Sequence, residues 1–102
     1  SPDQMAVNKA ETVVLSNFGL EILRTNNGNL IKKVLSWDEI DPENKYDHTS
    51  RRRLTFSKDA QMIVFALKYK DTEGEFTLFK VNRDGKNLEK LVDKAQIGER
   101  VP

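Results

Sequence analysis

The sequence predicts a mainly β domain closed by one C-terminal helix, and three observations carry that expectation. From Glu11 to Val81 apolar and polar residues alternate in short β-branched and aliphatic runs, the period-two signature of strands with one buried face. Asn27-Gly28 lies between two such runs and supplies the dipeptide that best tolerates positive φ at both centres of a tight hairpin turn. Beyond Val81 the spacing changes: Leu88, Leu91, Val92 and Ala95 fall at i, i+3, i+4 and i+7, one stripe of an amphipathic helix.

Residues 1–10, with Pro2 and mixed polar residues, read as an arm or a short first strand around Met5 and Val7. "TVVLS" ending at Ser16 is a strand, "NFG" a turn, and "LEILRT" the returning strand, with Leu20 and Ile22 on one face and Glu21 and Leu23 on the other. After Asn27-Gly28, "NLIKKVLSW" runs back, alternating Leu30, Lys32, Val34 and Ser36 against Ile31, Lys33, Leu35 and Trp37. Pro42 and a crowd of Asp, Asn, His and Ser make the stretch up to Ser50 a long loop. "RRRLTFS" (Arg51 to Ser57) is a half-buried strand, turned by Lys58-Asp59-Ala60. "QMIVFALKYK" is nearly continuous in apolar residues, as in a strand covered on both faces, and "DTEG" turns it into "EFTLFKV". Six to seven strands result. Asn82 or Asp84 is placed to cap the closing helix, with Gly98 and Pro102 beyond its end. A three-turn helix is marginal alone in water, so its stripe is expected to plug an open end of the sheet.

A chain of 102 residues supports one core and one domain, here residues 11–97 with a tail at 98–102. No run approaches the length that crosses a bilayer, and no basic segment followed by an apolar one marks a leader at the start. Cysteine is absent, which excludes disulfides, thiolate metal sites and a cysteine nucleophile and fits a reducing, cytoplasmic location. Seventeen Lys and Arg against sixteen Asp and Glu leave a net charge of +1, so no global field draws the chain to nucleic acid.

The residues offer no enzyme chemistry. His48 is the single histidine, so neither a usual zinc set nor a nucleophile and base pair can be assembled around it, and it reads as a solvated loop residue. Asp38, Glu39, Asp41 and Glu43 lack the glycine and terminal glutamate of a calcium-wrapping loop. Gly28 and Gly85 stand alone, with no phosphate cradle. No cofactor and no metal are expected. Arg51-Arg52-Arg53 is the one dense cluster of a single sign. Its guanidiniums offer forks for phosphate or carboxylate, while the plainer reading is that they neutralise the acidic loop beside them and protect an edge strand.

"GLEILRTNNGNLIKKVLSWDEI" (Gly19 to Ile40) and "EFTLFKVNRDGKNLEKLVDKAQI" (Glu75 to Ile97) resemble the phosphotyrosine-binding-like third lobe of FERM domains, a member of the pleckstrin-homology superfold. The first carries a Gly-Leu strand, a tight turn and a Trp37-x-x-Ile40 step, the second a last strand, a Gly-containing turn and the closing helix. The resemblance implies bent antiparallel sheets capped by a helix and an adaptor function, in which an extended peptide adds to an edge strand and packs against the helix. Mapped by element order, the peptide-binding residues would be Arg51, Arg52, Arg53, Thr55 and Ser57 on the strand and Leu91, Lys94 and Ala95 on the helix. A phosphoinositide headgroup is the alternative ligand, held by Lys32, Lys33 and Arg52.

"LTFSKDAQMIVFALKYKDTEGEFTLFKVNRDGKNLEKLVD" (Leu54 to Asp93) also resembles a blade of the TolB-type β-propeller, and "SPDQ" at the start fits the same repeat's Ser-Pro-Asp-Gly opening. Lys58 stands where that repeat has Pro and Ala60 where it has Gly. This resemblance implies a two-blade fragment, with Asn87 to Lys94 a strand, and two blades cannot close a ring that needs at least four.

Overall fold

In the computed structural model the described residues are 10–49 and 54–96. They form β1 (Glu11–Leu15), β2 (Gly19–Arg24), β3 (Leu30–Ser36), α1 (Trp37–Ile40), β4 (Leu54–Phe56), β5 (Met62–Lys68), β6 (Glu75–Asn82) and β7 (Glu89–Gln96). Each strand pairs antiparallel with the next in sequence, giving two meanders, β1-β2-β3 and β4-β5-β6-β7. The mainly β class with seven strands is therefore observed among the described residues. The expected arm at residues 1–10 and the tail at 98–102 lie almost wholly outside them.

The two sheets share one core. Val13, Leu15, Leu20 and Ile22 of the first sheet join Leu54, Phe56, Ile63, Phe65, Phe79 and Val81 of the second in a single buried cluster. Phe65 and Phe79 stack at 5.1 Å between centroids. Each fully buried side chain of this size contributes roughly 1.5–3 kcal/mol. Where the backbones approach, only glycine fits. Gly85 has φ +88°, and a Cβ there would stand 2.5 Å from the Val34 carbonyl oxygen. Glu11 on β1 and Arg83 in the β6–β7 turn tie the sheets at one end, Nη1 donating to Oε1 at 2.8 Å and to the Ala60 carbonyl at 3.3 Å.

The C-terminal helix is not formed. Its residues make β7, which returns along β6. The physical reason is twofold. Asn82 N–H donates to the Lys86 carbonyl at 3.0 Å and Gly85 N–H to Asn82 at 2.8 Å, a three-residue turn that aims the chain straight back beside β6. There an eight-residue ladder is available, more than a short helix gains alone. Two bulges then hide the strand's period. Phe79 opposes Lys90 and Leu78 opposes Val92, leaving Leu91 extra, and Asp93 and Lys94 together face Thr77. Extra residues in a strand turn a spacing of two into one of three, which reads as helical.

The long loop after Trp37 also differs from expectation, because it opens with α1. Ser36 caps that turn: Glu39 N–H donates to Ser36 Oγ at 3.2 Å, and Ser36 N–H donates to Glu39 Oε1 at 2.9 Å. The Ser-x-x-Glu spacing of this reciprocal cap stands in the sequence.

Candidate functional site

Among the described residues, those expected to bind a peptide are not gathered into one groove. Arg51, Arg52 and Arg53 lie outside the described residues. Thr55 is exposed on β4. Ser57 follows it, but its hydroxyl donates to Asp59 Oδ1 at 2.7 Å and accepts from Met62 N–H at 3.0 Å, so it serves the turn. Leu91, Lys94 and Ala95, the expected helix wall, sit on β7 at the opposite edge of the same sheet. Three strand spacings, about 14 Å, separate the two edges. Lys32 opposes Ile22 and Lys33 opposes Glu21, which turns the lysines to opposite faces. Lys33 Nζ lies 4.8 Å from the Phe18 ring centroid.

The densest polar constellation lies where the chain crosses between the sheets. Trp37 donates its indole N–H to the Ser16 carbonyl at 2.8 Å and stacks on His48, with centroids 3.9 Å apart and planes 5° off parallel. His48 is thus half-buried rather than a solvated loop side chain. Its Nε2 meets Asp41 Oδ2 at 2.8 Å. Asp41, only 5% exposed, also accepts from Lys45 N–H at 2.8 Å and Tyr46 N–H at 3.0 Å. Burial alone would raise this carboxyl, but the Lys45 amide, the His48 ring and the Tyr46 amide together outweigh it and hold Asp41 below the usual carboxylate range. Tyr46 carries the network into the second sheet through a bridge to Tyr69 and a hydroxyl 3.1 Å from Thr77 Oγ1. Thr77 and Tyr69 both donate to Asp93 Oδ1, at 2.8 and 2.7 Å. Burial and the bond to Asp93 push the Tyr69 phenol upward, and the two hydroxyl donors hold Asp93 below its ordinary value.

This arrangement clasps the crossing between the sheets, its polar side chains engaged with one another. The imidazole nitrogen nearest a carboxylate is spent on Asp41, and the neighbouring Thr49 hydroxyl donates to Asp47 Oδ1 at 2.6 Å. The cleft beside it, about 330 Å³, is lined by Ile40, Pro42, Glu43, Lys45 and Lys90 among others, and Glu43 and Lys45 pair with each other at 2.7 Å. Among the described residues no group of three His, Cys, Asp or Glu is placed to hold a metal. No described helix is long and apolar enough to cross a membrane.

The outer faces of the sheets are the second candidate. On the second sheet, pairing places Val64, Ala66, Phe76, Leu78 and Val92 on the side away from the core, with Val92 45% exposed. On the first sheet the outer side carries Thr12, Val14, Glu21, Leu23 and Leu30, the last 49% exposed. The two sheets also present opposite faces inward. The turn into β3 closes where Arg24 N–H meets the Asn29 carbonyl, and the turn into β7 where Asn82 N–H meets that of Lys86. Core residues Leu20 and Ile22 lie an even number of positions before Arg24, whereas Thr77, Phe79 and Val81 lie an odd number before Asn82. By that register, the outer face of the second sheet is the counterpart of the inner face of the first. The turn positions were legible in the sequence. The inward face was legible for β4, whose outward Thr55 is polar, and not for the other strands, where both sides carry apolar residues. No family model, curated protein or solved structure matches this chain.

Proposed function

We propose that this chain is a non-enzymatic scaffold for protein partners, built as two successive units of a TolB-type β-propeller stack. The observation that carries the reading is the opposite facing of the two sheets. Two sheets related by a dyad would bury like faces; units that follow one another around an axis bury unlike faces and leave one of each exposed, as here. The second sheet has the four-stranded meander of a blade, and β1, β2 and β3 correspond in order to β5, β6 and β7. The turns at 57–61 and 82–86 share one design, an Asp whose carboxylate accepts the amide two residues on and a following residue at positive φ. An adaptor groove needs a helix beside an edge strand, and β7 takes up that part of the chain.

Tandem chains of two, three and four copies test the reading, since they carry sheets in numbers spanning the range of about 4–8 that closes a propeller. Small-angle scattering is expected to show a compact disc for at least one tandem, melting above the single chain. Extended, bead-like scattering from every tandem, with the melting temperature of the single chain, would overturn it.

A further inference from the structure

The cleft beside Asp41 has its charges mutually paired, and the hollow of about 280 Å³ near Arg83 is lined by the turn that holds the Glu11 pair. The outer faces go further, because the structure already contains the interface they would make.

We infer that separate copies of this chain associate head to tail, the outer face of the second sheet of one copy receiving the outer face of the first sheet of the next. This rests on the reading of the two sheets as successive units of one stack. By the register set at Arg24 and Asn82, Val13, Leu15, Leu20 and Ile22, which the first sheet buries against the second, correspond to Val64, Ala66, Leu78 and Lys80 on the second sheet's outer face. In the same register Thr12, Val14, Glu21 and Leu23 correspond to the inward Ile63, Phe65, Phe79 and Val81. The contact between copies therefore continues the contact inside each copy, with the same kind of face on each side. Such an interface is heterologous: each copy offers one face and receives the other, and the assembly closes if the rotation permits. The faces are half-buried and mixed rather than greasy, with Lys68 and Lys80 on one and Glu21 on the other, which suits association that is reversible and concentration-dependent.

Sedimentation of the 102-residue chain across micromolar to near-millimolar concentration is the test. The mass is expected to rise above the monomer. Leu23→Lys on one face and Leu78→Lys on the other should each weaken association by roughly tenfold to a hundredfold, the worth of one buried leucine. Mixing the two variants should restore a one-to-one dimer and nothing larger, because each retains one working face. A cysteine-free chain also accepts a unique spin label at Lys33→Cys, and unfolding of a lysine variant leaves this second measurement intact. In a mixture with unlabelled isotopic protein, broadening is expected at the amides of Val64, Ala66 and Leu78. A monomer at every concentration, or broadening confined to the first sheet's own outer face, would overturn the inference. A compact tandem chain alongside monomeric single copies would overturn it while leaving the stacked-sheet reading standing.

Discussion

Asp41 is the residue on which the crossing between the sheets depends. Replacing it with Ala leaves two amides, of Lys45 and Tyr46, without acceptors in a buried place and frees the His48 ring. Asp41→Ala is expected to cost about 2–4 kcal/mol, read from the urea midpoint. Asp93 predicts a pH effect of definite sign. Its folded value is lowered by Tyr69 and Thr77, as that of Asp41 is by its own donors. Groups of this kind stabilise above their unfolded value, about 3.9, and lose that contribution as pH falls through the lower folded value. The urea midpoint should therefore hold steady from neutral pH to about 5 and drop below about 4. Asp93→Asn should start lower and fall less steeply. None of these partnerships was readable from the chain alone, since Asp41 meets His48 only after α1 has turned, and Tyr69 just past β5, Thr77 on β6 and Asp93 on β7 are brought together only by the sheet.

At the level of elements, turns were more legible than the segments they join. The sequence offers Asn82 or Asp84 as the cap of a helix, with the Gly-containing turn implied only by the resemblance, yet residues 82–86 form a turn between strands. Asp84 accepts the Lys86 amide at 3.0 Å, work that an Asp does equally in a cap or in a turn. What decided between them was the free edge of β6, which no local pattern reveals. Ala60 offers a sharper case. It occupies φ +60° at the end of the Ser57 turn, where a residue with a Cβ is strained and glycine is not. Ala60→Gly is expected to stabilise the chain by about 0.5–1 kcal/mol in thermal unfolding, less whatever the loss of its buried methyl removes.

For the molecule as a whole, one shared core joining two sheets implies one cooperative transition rather than two. Glu11 and Arg83 bind the sheets at their margin, and burial of both partners is substantial. Arg83→Ala is expected to lower stability by about 2–3 kcal/mol, with fluorescence and circular dichroism still tracing a single curve. Two separated curves would mean that the sheets unfold independently. The β class was legible because strand alternation is local; the stacking of one sheet on the other was not, because it is set by which of two apolar sides turns inward.

The pairing of Trp37 with His48 has an optical consequence. The chain holds a single indole and a single imidazole, and they lie face to face at the hinge where the polypeptide passes from one layer to the other. Indole emission depends on what the ring touches, so the molecule's own ultraviolet fluorescence registers whether these two rings are in contact. A change in that emission without a change in far-ultraviolet signal would report parting of the two rings while the strands stay intact.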